Sequence, residues 1–263
     1  MRILKSRIEA LERAWSARQA RTIAAQASRA QCKLLAVFPD TGPHRRELYP
    51  RHMEFIQAGA GFRERLFMAA NRTGKTLTGA FEMACHLTGL YPGWWRGKRF
   101  SAPVRAWACG TTNQTTRDIV QVNLLGREGA RGTGMLPREA IVQVTHKPGI
   151  PHAVDTGLVR HASGGLSQLC FKSYESGRKA FEGTAQEVIW LDEESPIDVY
   201  LECLYRTATT GGIVYTTFTP LQGRSEVVKS FLEPETEDAR RVKHVTQCDW
   251  PWVLDKNGPV ALG

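Results

Sequence analysis

The stretch that decides the fold reads LFMAANRTGKT and occupies residues 66–76. It begins with an apolar run, passes through a turn of small and polar residues, and ends in Gly-Lys-Thr. A helical pattern, LTGAFEMA, follows at once over residues 77–84. A strand, a loop and a helix in this order are what a Walker A phosphate loop requires. The stretch therefore predicts a loop whose backbone N–H groups bind a triphosphate at the N-terminus of a helix.

Individual residues of this loop have distinct expected roles. We expect Lys75 to contact the β- and γ-phosphates of ATP, and the hydroxyl of Thr76 to hold Mg²⁺. Ala69 replaces the first glycine of the motif, which is tolerated where the backbone keeps φ below zero. An ordinary strand-turn-helix with a chance Gly-Lys-Thr is the alternative. The predicted nucleotide contacts are Ala70, Asn71, Arg72, Thr73, Gly74, Lys75 and Thr76.

A second motif places acidic residues directly after an apolar strand. Four apolar residues, VIWL, precede Asp192, Glu193 and Glu194. This pattern is typical of a Walker B strand, in which Asp192 holds the hydration shell of Mg²⁺ and Glu193 activates the attacking water. A strand followed by an acidic helix start would look similar, with the two glutamates serving the helix dipole.

Two further predictions concern residues around these motifs. The apolar run 213–218 ends in hydroxyl residues, and Thr216, Thr217 and Thr219 are candidate sensors of the γ-phosphate. Such a sensor strand lies between the Walker A and Walker B strands in related motors, although threonine is also common in ordinary strands. Upstream of the phosphate loop, His52 is a candidate adenine contact, because histidine can both donate and accept hydrogen bonds. A histidine on a surface helix is the alternative.

Composition and charge limit the possible partners. The chain has 263 residues, of which 42% are hydrophobic and 23% are charged, so it can hold one large α/β domain or two small ones. Its net charge of +9 favours a polyanionic partner such as nucleic acid. The alternative is that the lysines and arginines only keep the surface soluble. Long apolar segments and a signal peptide are absent from the sequence, which predicts no membrane association. Six scattered cysteines predict reduced thiols in the cytosol.

The chain divides into three parts by pattern. Residues 1–48 predict a basic amphipathic helix, reaching to about residue 35, and a turn-rich linker. Residues 49–248 predict the ATPase domain, with a small strand pair at 141–144 and 158–161 as an insertion. Residues 249–263 form a tail in which no element is predicted. The predicted fold is a three-layer α/β P-loop NTPase of the ASCE, RecA-like type with a mostly parallel central sheet.

Five stretches together resemble a known family, the large terminase subunit of tailed bacteriophages and prophages. The resemblance implies an ATP-driven motor that moves double-stranded DNA into a procapsid, as a ring of identical subunits with the small terminase subunit and the portal protein. It implies the host cytoplasm as location. A terminase carries a C-terminal nuclease domain for which this chain is too short, so we expect no nuclease activity. The stretches are 67–76, 91–95, 172–175, 188–194 and 216–223.

The resemblance also bears on the arginines. Arg72 lies inside the phosphate loop, where terminases often carry an arginine, and is a candidate for stabilising γ-phosphate charge within its own subunit. Arg117 and Arg178 are candidates for acting on a neighbouring subunit, and surface salt bridges are the alternative for all three. Two other functions stay open. A superfamily 2 helicase shares the Walker motifs but needs a second motor lobe, and a silent module would bind DNA or portal without turnover.

Overall fold

A single large sheet positions the candidate site. The computed structural model describes residues 33–221, 223–248, 252–255 and 258–261. The strands of the large sheet are β1 (Glu64–Ala69), β2 (Arg105–Gly110), β3 (Ile141–His146), β4 (Val154–Arg160), β5 (Leu166–Ser173), β6 (Val188–Asp192), β7 (Ile213–Phe218) and β8 (Lys243–Cys248). Their order across the sheet is β3-β4-β5-β2-β6-β7-β1-β8. Six neighbouring strands run parallel to one another, in the order β5, β2, β6, β7, β1 and β8. The remaining two form an antiparallel pair, β3–β4, and β4 is also antiparallel to β5. The mostly parallel sheet confirms the predicted α/β class.

The strand β1 shows why the sequence forms a buried parallel sheet. All of its residues after Glu64 are buried, as expected of an apolar run covered on both faces. Phe67 and Ala69 belong to one core cluster, and Leu66 and Met68 to another. Since successive side chains of a strand point to opposite faces, the two clusters lie on opposite sides of the sheet. The result is a three-layer arrangement with helices on both faces.

The helices divide between those two faces. The cluster that contains Phe67 packs against helices preceding β3, and the cluster that contains Leu66 packs against helices following β6. The helices of the first face are α1 (Lys33–Ala36), α2 (Pro50–Ala58), α3 (Lys75–Thr88), α4 (Asn113–Thr115), a π-helix (Thr116–Gln121) and α5 (Val122–Leu125). Those after β6 are α6 (Ile197–Ala208), α7 (Glu226–Leu232) and α8 (Glu237–Val242). Shorter 3-10 turns occupy Arg46–Leu48, Arg138–Ala140, Tyr174–Ser176 and Arg178–Phe181.

The predicted insertion is present and extends the main sheet. The hairpin β3–β4 adds to the edge strand β5 through antiparallel pairing. Both strands are longer than the sequence predicted, and His161 follows β4 directly. On β3 only Ile141 is buried, so one side of this edge hairpin faces solvent.

The described parts of the two ends of the chain form elements of their own. Most of the predicted basic helix lies outside the described residues, which begin with α1. Leu34 and Phe38 are buried and belong to the same core cluster as Phe81 of α3, so the segment before residue 49 contributes to the core. In the tail, where no element was predicted, β9 (Trp252–Asp255) and β10 (Gly258–Ala261) pair antiparallel. Across the described segments, no helix is long and apolar enough to cross a membrane.

Candidate active site

The loop between β1 and α3 turns tightly through residues with a left-handed backbone. Gly74 has φ 89° and ψ 14°, in the left-handed region that glycine adopts without strain. Arg72 is also left-handed, with φ 62°, and the Thr73 hydroxyl closes the turn by donating to the Ala70 carbonyl at 2.9 Å. The loop therefore delivers Lys75 and Thr76 at the first turn of α3, where unpaired N–H groups and the helix dipole favour an anion.

Lys75 points back across the loop toward the end of β7. Its Nζ donates to the Ala70 carbonyl at 2.7 Å and to the Thr219 hydroxyl at 2.9 Å. The Thr219 hydroxyl donates in turn to Oδ1 of Asn71 at 2.9 Å. Burial lowers the pKa of Lys75, and the nearby carboxylates of Glu193 and Asp192 oppose this shift. The ammonium is thus held by two neutral oxygens that phosphate oxygens can replace.

Asp192, the last residue of β6, accepts hydrogen bonds from two threonines. Thr76 donates to Oδ1 at 3.0 Å, and Thr217 of the adjacent strand donates to the same oxygen at 2.8 Å. The indole N–H of Trp190 donates to the Thr217 hydroxyl at 2.8 Å, which directs the hydroxyl proton of Thr217 to Asp192. Burial raises the pKa of Asp192 to about 7, against the lowering effect of these hydrogen bonds and of Lys75. A cation placed here would restore the ionised carboxylate.

Glu193 and Glu194 occupy different environments. Glu193 lines a cavity of about 490 Å³ together with loop residues, including Lys75 and Thr76. Glu194 lines a separate cavity of about 440 Å³ between the starts of α6 and α7. Burial raises the pKa of Glu193, and Lys75 lowers it. Of the two glutamates, the geometry therefore favours Glu193 as the group that faces a bound phosphate.

The three candidate threonines separate into two groups. Thr217 donates to Asp192 and Thr219 accepts from Lys75, so both hydroxyls contact charged side chains. Thr216 points to the opposite face of β7, because side chains alternate along a strand. Its hydroxyl is buried without a hydrogen-bond partner among the described residues. The strand itself lies between β1 and β6, as the sequence predicted for a sensor strand.

His52 lies beneath the loop, which differs from both expectations. Its ring is fully buried, between the rings of Tyr49 and Phe67 at centroid distances of 5.4 and 5.0 Å. Its Nε2 lies 2.8 Å from the Thr73 carbonyl, and because a carbonyl only accepts, the ring donates. Burial lowers the pKa of His52 to about 4, so the ring is neutral. His52 therefore supports the phosphate loop from inside the protein, without exposure to an adenine.

The candidate arginines differ in their engagement. Arg72 is exposed and lines the loop cavity. Arg117 donates to the adjacent Asp118 at 2.7 Å and to the Pro151 carbonyl at 3.1 Å. Arg178 donates to Glu202 at 3.1 Å, with its side chain 53% exposed. Arg117 and Arg178 are therefore held within the chain, and an action on a neighbouring subunit would require breaking these contacts.

Sequence reasoning missed two residues that shape the site. Trp190 was assigned only to the apolar run, although a buried indole N–H normally needs an acceptor. Tyr174 was quoted only within a family-like stretch, yet its hydroxyl donates to the Asp192 carbonyl at 2.9 Å and to the Glu193 carbonyl at 3.2 Å. No local pattern signals the second contact, because Tyr174 follows β5, which is separated from β6 by β2.

The residues present fit a magnesium ion that is shared with a phosphate ligand. Among the described residues, no group of three or more histidine, cysteine or acidic side chains could hold a metal alone. The oxygens of Thr76 and Asp192 nevertheless lie 3.0 Å apart beside the predicted phosphate position. Mg²⁺ in phosphoryl-transfer sites is commonly held by one or two protein oxygens, water and phosphates, which suits this pair.

Comparisons with known proteins place the chain in a family. The family described as "Terminase large subunit, T4likevirus-type, N-terminal" matches residues 66–257. The terminase large subunit of Salmonella phage P22 is 41% identical over 228 residues, covering 79% of this chain and 46% of that protein. This chain therefore spans about half the length of that relative. The solved structure of a large terminase from a thermophilic bacteriophage aligns with a TM-score of 0.50 and 11% identity, covering 75% of this chain and 44% of that one. Since the family match extends over most of its length, the chain belongs to the T4likevirus-type terminase large subunits, in their N-terminal part.

Proposed function

We propose that the chain is a P-loop NTPase domain that hydrolyses ATP to drive double-stranded DNA into a procapsid. The observation that carries the proposal is the convergence on one cavity of Lys75, Thr76 and Glu193, with Asp192 and Thr219 bonded to them. These residues come from the ends of β1, β6 and β7, which is where ligands bind in parallel α/β sheets. Membership in the terminase large subunits supports the DNA-packaging role.

Each residue would have a defined part in hydrolysis. When ATP enters, Lys75 would exchange the Ala70 and Thr219 oxygens for β- and γ-phosphate oxygens and neutralise charge on the transferring group. Thr76 and Asp192 would hold Mg²⁺, which supplies further neutralisation of the phosphates. Glu193 would accept a proton from the attacking water, since burial raises the pKa of its carboxylate and makes it a stronger base. Arg72 would add positive charge from the open side of the cavity.

The mechanical part of the proposal follows from β7. Thr219 bonds both Lys75 and Asn71, and Thr217 bonds Asp192, so both threonines touch groups that a γ-phosphate would reorganise. The segment after Thr219 leads to α7, which begins after Ser225. Loss of the γ-phosphate would release these bonds and change the position of this segment. The family-like stretch 216–223 includes Gln222, which lies outside the described residues.

The assembly that this function requires is a proposal of the same kind. We expect a ring of copies at the portal, with the small terminase subunit and double-stranded DNA as partners, in the host cytoplasm. The net charge of +9 suits a DNA partner. We expect the free chain to be a slow ATPase, because an arginine supplied by a neighbouring subunit can be worth about 10³ to 10⁵ in rate.

A steady-state ATPase assay with and without double-stranded DNA tests the proposal. The parental chain should hydrolyse ATP only when Mg²⁺ is present, and Lys75→Ala should remove turnover and most nucleotide binding. The matched control is Lys179→Ala, because Lys179 is exposed and lies outside the cavity. Turnover by Lys75→Ala at the parental rate would overturn the assignment. Nucleotide-independent DNA binding with no hydrolysis would favour the silent module.

A further inference from the structure

Tyr174 is a buried residue that the proposed chemistry does not use. It follows β5 directly, in the 3-10 turn Tyr174–Ser176, and the residue is 7% exposed. The strand β2 lies between β5 and β6, so the phenol reaches beyond the end of β2 to the end of β6. There its hydroxyl is shared between two consecutive carbonyls, those of Asp192 at 2.9 Å and Glu193 at 3.2 Å. Burial raises the pKa of Tyr174 well above its usual value, so the hydroxyl remains a donor.

Glu193, between those carbonyls, has a strained backbone. Its φ is 65°, in the left-handed region that a residue with a side chain rarely adopts without a compensating contact. The two carbonyls belong to the peptide planes on either side of its Cα, and the angle between those planes is what φ and ψ describe. The Glu193 N–H also donates to the Thr217 carbonyl at 3.0 Å. Thr217 therefore restrains the first plane, and Tyr174 restrains both.

We infer that Tyr174 is a positioning residue for Glu193, holding its backbone in the left-handed conformation that directs the carboxylate into the phosphate-loop cavity. The inference rests on the proposed function of Glu193 as the base. Without the hydroxyl, the peptide between Glu193 and Glu194 loses the donor that the structure shows, and the strained backbone is free to relax to negative φ. The carboxylate would then move relative to the attacking water, while Lys75 and Thr76 would still bind nucleotide.

Tyr174→Phe tests this inference, because it removes one oxygen and keeps the ring. We expect kcat for ATP to fall about 10- to 100-fold, the usual effect of displacing a catalytic group by about 1 Å. The affinity for nucleotide, measured with a fluorescent ADP analogue, should change by less than about twofold, since the Asp192 carboxylate keeps its hydrogen bonds to Thr76 and Thr217. The matched control is Tyr200→Phe: that buried hydroxyl donates to Glu64 at 2.6 Å, outside the cavity, and its loss should leave kcat unchanged.

A double-mutant cycle separates positioning from a general structural effect. If Tyr174 acts through the Glu193 carboxylate, then Tyr174→Phe should lower single-turnover hydrolysis by less than about twofold once Glu193→Gln is present. Fully additive losses would overturn the inference, and so would parental kcat in Tyr174→Phe. A Tyr174→Phe chain that no longer binds nucleotide would show a structural role and would also overturn it. If the parental chain hydrolyses no ATP, the proposed function itself fails; if only Tyr174→Phe behaves as parent, this inference fails alone.

Discussion

The hydroxyl of Thr76 donates to Oδ1 of Asp192 at 3.0 Å, although the two residues are 116 positions apart in the chain. Thr76 lies in the first turn of the helix after β1, and Asp192 ends β6, which lies two strands away. Thr217, at the end of the intervening strand, donates to the same carboxylate oxygen. The Asp192 carboxylate therefore lies at the end of β7, close enough to contact an ion bound to Thr76.

Removing the charge of Asp192 should weaken Mg²⁺-dependent nucleotide binding, whereas removing the charge of Glu193 should lower turnover. Asp192→Asn should raise the Mg²⁺ concentration needed for nucleotide binding, because the amide is a poorer Mg²⁺ ligand. Glu193→Gln should keep binding but lower turnover by about 10² or more, the usual contribution of a general base. Magnesium titrations of ADP-analogue binding and steady-state turnover measure the two effects. Glu194→Gln is the control, and loss of turnover in it with normal turnover in Glu193→Gln would place the base one residue later.

Gly79→Ala should destabilise the protein although it lies inside a helix. A Cβ at this position would meet Nε1 of Trp190 at 2.4 Å, where the indole packs under α3. Alanine gains about 1 kcal/mol of helix propensity, and overpacking a rigid core commonly costs about 1–3 kcal/mol, so we expect a net loss. Urea unfolding measures this loss of unfolding free energy. Gly93→Ala is the control, because nothing lies within 4 Å of a Cβ there. An unchanged unfolding midpoint for Gly79→Ala would contradict the prediction and show that the Trp190 ring moves to accommodate the methyl group.

Removing the buried charge of Arg65 should be more costly than removing it together with its partner. Arg65 and Glu82 form a fully buried ion pair that joins β1 to α3, and Nη1 of Arg65 also donates to the Phe55 carbonyl at 2.8 Å. Arg65→Met leaves Glu82 with only His86, whose Nε2 lies 3.2 Å from Oε1, and breaking a buried ion pair costs about 3–5 kcal/mol of unfolding free energy. The double variant Arg65→Met, Glu82→Leu should recover part of that loss. A double variant as unstable as the sum of the single variants would refute the coupling.

His52 should make the protein less stable in mild acid. Burial lowers its pKa from 6.5 to about 4 in the folded protein, so the unfolded chain binds more protons between these pH values. The contribution of neutral His52 to the free energy of unfolding is fully present above pH 6.5. It is lost as pH falls toward 4, by up to about 3 kcal/mol. Unfolding free energies measured between pH 7.5 and 5 should fall less steeply in His52→Gln, which keeps a donor for Thr73. Gln143→Ala, which changes no titratable group at an exposed position of β3, should keep the parental slope.

The sequence alone was sufficient to predict strands of the large sheet and the acidic residues that follow β6. Apolar runs predicted the strands β1, β6 and β7, since a run buried on both faces has a strong local signature, and the hairpin β3–β4 was predicted as a pair of shorter strands. The strand-loop-helix order of residues 66–76 placed Lys75 and Thr76 at a helix start. The hairpin β9–β10 escaped prediction because its apolar runs, WVL at 252–254 and VAL at 260–262, are each only three residues long.

Only the tertiary structure decided which side chains meet in the site. Alternation along β7 required Thr216 and Thr217 to point to opposite faces, but packing against α3 determined that Thr217 faces Asp192. His52 was placed inside by the rings around it, and Tyr174 reached Glu193 through a sheet order that no local pattern encodes. Local sequence determines the elements because propensity and periodicity act over a few residues. Contacts between distant elements depend on strand order, which emerges when the whole core packs.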